Sequence, residues 1–115
     1  MPGPARAGAL IYAKDLGLLT HFYRTLLQMD IRSQEEFAKG HLAGAQHLLL
    51  SQIQSNNLGP VEKHKDAPII VVCESGMTAG GAGRQLSKAG FKQVYVLSGG
   101  MAQWRADNLP VTKKR

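Results

Sequence analysis

The sequence predicts an α/β domain built on an open, mostly parallel sheet, and three observations predict it. Pro68-Ile69-Ile70-Val71-Val72-Cys73 is a continuous β-branched run, the pattern of a central strand buried on both faces. Gln93-Val94-Tyr95-Val96-Leu97 is a second run of the same kind. Segments with helical spacing separate such runs, and alternation of strand and helix argues for parallel strands joined by crossovers.

Each element has a local reason. Residues 9–14, Ala-Leu-Ile-Tyr-Ala-Lys, read as a short first strand. Asp15 is placed to cap a helix in which Leu16, Leu18, Leu19, Phe22 and Tyr23 share one face. Leu26 to Ile31 has two readings, the end of that helix or a buried strand ending at Asp30. Ser33-Gln34-Glu35-Glu36 is a capping-box pattern and opens a helix that Gly40 stops. His47-Leu48-Leu49-Leu50 reads as a strand, Ser51 as the cap of a helical turn, and Asn56 to Pro60 as a loop. Glu74-Ser75-Gly76 breaks the central strand. A helix is expected from Thr78 to Lys88, and its Gly80, Gly81 and Gly83 are poor helix formers that close packing must offset. Gly99-Gly100 is a turn, and Met101 to Ala106 is a short helix carrying Trp104.

Composition narrows the function classes. The 115 residues fit a single domain, 43% hydrophobic and 19% charged, within the globular range. A single cysteine leaves no intrachain disulfide and no zinc site built on several thiolates. No apolar run is long enough to span a membrane, and the opening residues lack the apolar core of a signal peptide, so a reduced, cytoplasmic setting is expected. The net charge of +6 permits anionic partners, but the basic residues are scattered apart from Lys113-Lys114-Arg115. Aromatics do not interleave with them as a base-stacking platform requires, so nucleic acid is not the expected partner.

In an open parallel sheet, sites form at the carboxyl ends of strands. Cys73 sits there, followed by Glu74-Ser75-Gly76-Met77-Thr78 leading into a helix. Loop amides can curl around the sulfur, and the helix adds its positive N-terminal end; both favour a thiolate. A buried inert cysteine is the competing reading, and local sequence does not separate the two. Asp30 and Arg32 are expected to form a structural ion pair near this loop, and His41 to be a hydrogen-bonded structural histidine. His21, His47 and His64 stand apart from other ligand types, so no metal is expected.

Several fragments, in order, carry a family resemblance from Asp30 to Pro110. They are Asp30-Ile31-Arg32, Glu36-Phe37, Gly40-His41-Leu42, Gly44-Ala45, the run into Cys73, Gly90-Phe91, Val94 to Leu97, Gly99-Gly100 and Trp104. Together they resemble the rhodanese family of single-domain sulfurtransferases. The resemblance implies that Cys73 takes sulfane sulfur from a donor as a persulfide, that residues Glu74 to Thr78 stabilise it, and that Asp30 and Arg32 support the loop. A thiol or cyanide acceptor, either a small molecule or a protein, then removes the outer sulfur, with no cofactor and no metal. The loop departs from common members at two positions. Glu74 puts a carboxylate beside the sulfur, which is expected to oppose a thiolate and a dianionic donor. Thr78 stands where many members have Arg, and Ser75-Gly76-Met77-Thr78 is similar to the loop of mercaptopyruvate sulfurtransferases. The related phosphatases carry Arg six positions after the cysteine; here that position is Ala79.

Residues 1–29 are read as an atypical N-terminal βα unit of the one domain. Ala9 to Leu16 with Phe22-Tyr23-Arg24 and Leu26-Leu27 is similar to the first βα unit of the glyoxalase and bleomycin-resistance family. This suggests a graft with a seam near Met29-Asp30. Two alternatives to a sulfurtransferase therefore stay open: a poorly active carrier or binding module on the same fold, and a chimeric scaffold without a selected function.

Overall fold

The computed structural model describes residues 9–12, 15–16 and 26–113. Among these residues, five parallel strands form one sheet: β1 (Ala9–Ile11), β2 (Leu27–Asp30), β3 (Gln46–His47), β4 (Ile69–Val72) and β5 (Val94–Leu97), in the order β1-β5-β4-β2-β3. Among the described residues the α-helices defined at both ends are α1 (Gln34–Lys39), α2 (Leu50–Gln54), α3 (Met77–Lys88) and α4 (Gly100–Ala106). A 3-10 helix spans Gly59–His64.

β4 is central, and all four of its residues are buried. Side chains alternate across a strand. Ile69 and Val71 therefore join one core with Met29, Ile53, Leu86 and Val94, beneath α2 and α3. Ile70 and Val72 join a second core with Ile11, Leu42, Tyr95 and Met101. Two covered faces explain why this strand is uniformly apolar. At roughly 1.5–3 kcal/mol for each fully buried aliphatic side chain, β4 is a large share of the fold's driving force.

The two readings of Leu26 to Ile31 resolve in favour of a strand. Leu27 to Asp30 pairs residue by residue with Ile69 to Val72. Gln28 and Asp30 interrupt its apolar pattern, which is why the sequence left it ambiguous. Ser33 and Glu36 form the expected capping box, each satisfying the other's backbone N–H, and Gly40 ends α1. Of the helix expected after Asp15, only Asp15 and the buried Leu16 are described; the remainder lies outside the described residues.

Three expectations need correction. The strand placed at His47 to Leu50 stops at His47. β2 ends at Asp30, whose carbonyl accepts its last bond from Leu48 N–H at 3.0 Å, so the edge strand has no further ladder partner. Leu49 caps α2 where Ser51 was expected to, and the Gln52 side chain accepts from Leu49 N–H at 2.9 Å. The stretch Asn56 to Pro60 is not loop throughout, since Gly59 already opens the 3-10 helix.

The connections leaving β2 and β4 run in opposite directions, toward β3 and toward β5. In open parallel sheets such a switch point leaves a crevice beyond the strand ends. Asp30 is in register with Val72, so the chain emerges from both strands at one level. Arg32 follows from one side, and Cys73 and Glu74 from the other.

Candidate active site

Cys73 is the first residue beyond β4 and is 5% exposed. The chain then bends through Glu74, Ser75 and Gly76 into α3. Gly76 adopts φ +89°, a left-handed conformation that glycine tolerates without cost. A Cβ at this position would also lie 3.0 Å from Gly99 N. The turn brings Gly76 N–H to 3.0 Å from Cys73 Sγ, as a donor to the sulfur. The sulfur thus receives an amide hydrogen bond at the N-terminal end of a twelve-residue helix. Ser75, Met77 and Thr78 are exposed and form the rim above it.

A second set of bonds fixes the other side of the loop. Met101 N–H donates to the Cys73 carbonyl and Ala102 N–H to the Glu74 carbonyl, each at 2.9 Å. Both donors lie in the first turn of α4, where backbone N–H groups have no partner within the helix. The approach is close enough to require glycine. A Cβ on Gly100 would overlap the Cys73 carbonyl and lie 2.6 Å from the Glu74 carbonyl oxygen. In a trans peptide the C=O and N–H point in opposite directions. Anchoring the two carbonyls on α4 therefore turns the amides of Glu74 and Ser75 away from that helix. The sequence showed Gly99-Gly100 as a turn; its service to the loop was missed, because the contact spans about 27 positions.

Asp30 and Arg32 form the expected pair. Asp30 is fully buried and Arg32 is 5% exposed. Arg32 Nε donates to both Asp30 carboxylate oxygens at 3.0 and 3.1 Å, and Nη2 donates to Oδ2 at 2.8 Å. Nη2 also donates to the Gly40 carbonyl at 2.6 Å, and Arg32 N–H to Asp30 at 3.0 Å. Burial disfavours the guanidinium charge, but the bonds and attraction of Asp30, with a smaller share from Glu74, outweigh it and raise the Arg32 pKa. Arg32 thereby ties the end of β2 to the end of α1. Its remaining nitrogen, Nη1, reaches Glu74 Oε1 at 3.4 Å.

Glu74 departs from expectation. Its carboxylate is not a free negative charge beside the sulfur. Arg105, on α4, clasps it with both terminal nitrogens, Nη1 on Oε1 at 3.3 Å and Nη2 on Oε2. The hydrogen bond from Arg105 holds the Glu74 carboxyl below its ordinary range, against the opposing pull of partial burial, and Arg32 adds to the effect. Asp30, Arg32, Glu74 and Arg105 form one alternating chain of charges with no net charge. Nothing in the sequence marked Arg105, a single basic residue 31 positions from its partner.

His41 is structural, as expected. It is buried, its Nδ1 lies 2.7 Å from the Phe37 carbonyl, and its ring stacks on Phe37 at 3.7 Å between centroids. The other face of Phe37 meets His47, whose Nε2 lies 2.6 Å from the Arg32 carbonyl. Since a carbonyl only accepts, each of these ring nitrogens carries its proton. Trp104 donates to the Pro110 carbonyl at 2.8 Å and pins the segment after α4. Beside the loop lies an open cavity of about 340 Å³ lined by Arg32, Glu36, Lys39, Glu74, Arg105 and their neighbours. On the Met77 and Thr78 side a second cavity lies between α2 and α3, reaching Leu50 and Arg84.

The family model described as "Rhodanese-like domain" matches residues 19–107. The chain is a rhodanese-like domain. YibN of Escherichia coli K12, an uncharacterized protein, is 49% identical over 85 residues, 74% of this chain and 59% of YibN. The rhodanese-like chain thus spans about three-fifths of that relative's length. The thiosulfate sulfurtransferase GlpE of Ectopseudomonas mendocina is 39% identical over 80 residues, 68% of this chain and 69% of GlpE. Among solved structures, a rhodanese-related protein of Thermoplasma volcanium has the same fold, with a TM-score of 0.74 at 24% identity, over 92% of this chain and 99% of that one. The rhodanese match begins at residue 19, inside the segment likened to the glyoxalase family, and that likeness gains no support. The seam expected near Met29-Asp30 falls within β2, which pairs without interruption along β4.

Proposed function

We propose that this chain is a sulfurtransferase in which Cys73 carries the sulfur. The observation that carries the reading is the Gly76 N–H donated to Cys73 Sγ at 3.0 Å, at the mouth of the sheet's switch point. That amide is placed to donate both to the sulfur that attacks and to the persulfide formed on it. In the first half-reaction the Cys73 thiolate attacks the outer sulfur of thiosulfate. A new S–S bond forms, the S–S bond of the donor breaks, and sulfite leaves with the electron pair. In the second, a thiolate or cyanide attacks the outer sulfur of the persulfide. The product is a new persulfide or thiocyanate, and the Cys73 thiolate returns. A mercaptopyruvate-type donor gives up its sulfur in the same way and leaves as the enolate of pyruvate, which takes a proton. The loop residues Glu74 to Thr78 hold the persulfide, while Asp30 and Arg32 brace the loop. No cofactor enters the scheme. A reducing compartment such as the cytoplasm suits it, because the thiol must stay free.

Intact mass tests the proposal. Mixed separately with thiosulfate and with mercaptopyruvate, the protein should gain one sulfur from at least one of them, and cyanide should remove it. Cys73→Ser should gain none. A native protein that gains no sulfur from either donor, or a Cys73→Ser protein that still does, overturns the covalent role.

A further inference from the structure

The sulfur-transfer chemistry leaves the cavity between α2 and α3 without a task, although it lies on the same face of the sheet as the sulfur. Cys73 packs into the core beneath those helices together with Ala82, which also lines the cavity. Leu50, on the opposite wall, packs against that core. The cavity begins at Met77, the residue after the Gly76 amide that donates to Cys73 Sγ. Met77 is 84% exposed, an apolar side chain standing in water at the rim. Arg84 is the one charged residue among the described residues that line the cavity, and it has no ion pair or hydrogen bond among them. Neither α2 nor α3 carries a carboxylate to meet it.

The glycines of α3 add to this. A Cβ on Gly80 would meet nothing within 4 Å, and one on Gly81 only Nη2 of Arg84, at 3.8 Å. Packing inside the chain therefore does not call for glycine at either position, although alanine is the better helix former. Without side chains, this stretch of backbone is open to close approach from outside. The same contact puts the Arg84 guanidinium alongside Gly81, turned back toward the start of the helix. Four residues of helix rise, about 6 Å, separate Gly81 from Met77.

We propose that this cavity seats an extended segment of a polypeptide acceptor, whose cysteine reaches Cys73 while a carboxylate two positions away pairs with Arg84. Alternate side chains of an extended chain share a face and stand roughly 6.5–7 Å apart, which matches the spacing along α3. Met77 covers the apolar part of the segment, and Arg84 acts as a specificity-determining residue. This names an acceptor for the sulfurtransferase reading of Cys73 and rests on it.

The test uses the full chain and short capped peptides, each with one cysteine activated as a pyridyl disulfide and with Glu or Gln two positions before or after it. The Cys73 thiolate attacks the peptide sulfur. A mixed disulfide forms, the old S–S bond breaks, and the pyridinethiolate leaves with the electron pair and is read by its absorbance. In one of the two orders the Glu peptide should react about three- to tenfold faster than its Gln counterpart, the size of one screened charge interaction at short range. In Arg84→Gln, or at high salt, the ratio should fall to about one. Gly81→Leu, which closes the approach to the backbone, should slow the Glu peptide. Equal rates for Glu and Gln in both orders, a ratio that survives Arg84→Gln, or no mixed disulfide with any peptide overturns the seat. Failure to gain sulfur from any donor would instead overturn the transfer chemistry and leave the peptide ratio standing.

Discussion

Two ion pairs flank the sulfur loop, and they have little in common beyond charge. Asp30–Arg32 is closed off from water, bonded at several points, and built from neighbours two positions apart. Glu74–Arg105 is open to water and joins residues on different elements. Breaking a buried pair strands an uncompensated charge, at about 3–5 kcal/mol. An exposed pair contributes only about 0–1 kcal/mol. The first is therefore scaffold, and the second adds little to the stability of the fold. Charge count alone would rank them equal; burial separates them.

The comparison breaks most visibly at Asp30. Asp30→Asn should cost about 3–5 kcal/mol in urea unfolding, because the Arg32 guanidinium keeps its charge and loses its counterion. A loss below about 1 kcal/mol would make the two pairs equivalent. Next comes Gly100→Ala, which attacks the loop that both pairs brace. A non-glycine residue at φ +60° costs roughly 1–3 kcal/mol. The added Cβ also pushes α4 off the Cys73 carbonyl, so sulfur uptake should fall along with the melting temperature. Full uptake in a stably folded Gly100→Ala would show that α4 does not shape the loop. Ser33→Ala removes the cap of α1, the helix whose terminal Gly40 carbonyl receives Arg32, and should cost about 1 kcal/mol. Arg105→Gln should change stability by less than about 1 kcal/mol; a larger loss in denaturant would place it with the buried pair.

The smallest effect is a pH dependence. The folded carboxyl of Glu74 is held below its ordinary value of 4.5. Its contribution to stability is therefore whole above that value and is lost as pH falls through the folded pKa. The stability difference between the native protein and Glu74→Gln should be constant near neutrality and shrink on acidification. A difference that persists in strong acid would assign it to packing rather than charge.

The legibility of the sequence follows the same division between local and distant causes. Ser33 and Glu36 are three apart and announced their capping box. The apolar run into Cys73 announced a strand with the sulfur at its end. Asp30 and Arg32 were legible as a pair because they stand only two positions apart. What stayed hidden depends on tertiary approach. Leu48 to Leu50 has strand composition, but the neighbouring strand ends first, and tertiary pairing overrides propensity. The sequence put a carboxylate next to the sulfur, yet a neutralising guanidinium on another helix has no local signature. Gly100 reads as a turn residue, while the reason for its missing side chain is a carbonyl 27 positions away.

The clasp of α4 on the Cys73 and Glu74 carbonyls has a kinetic consequence. Neighbouring strands in this sheet are parallel, so each pairing closes a long stretch of chain, a topology associated with slow folding. The sulfur loop is last in dependence. It needs β4 seated between β2 and β5, and then the chain as far as Ala102 to hold its two carbonyls. Until that late stretch arrives, whether from a ribosome or during refolding, Cys73 is an ordinary thiol at the end of an unfinished strand. Its special environment appears only with the completed topology.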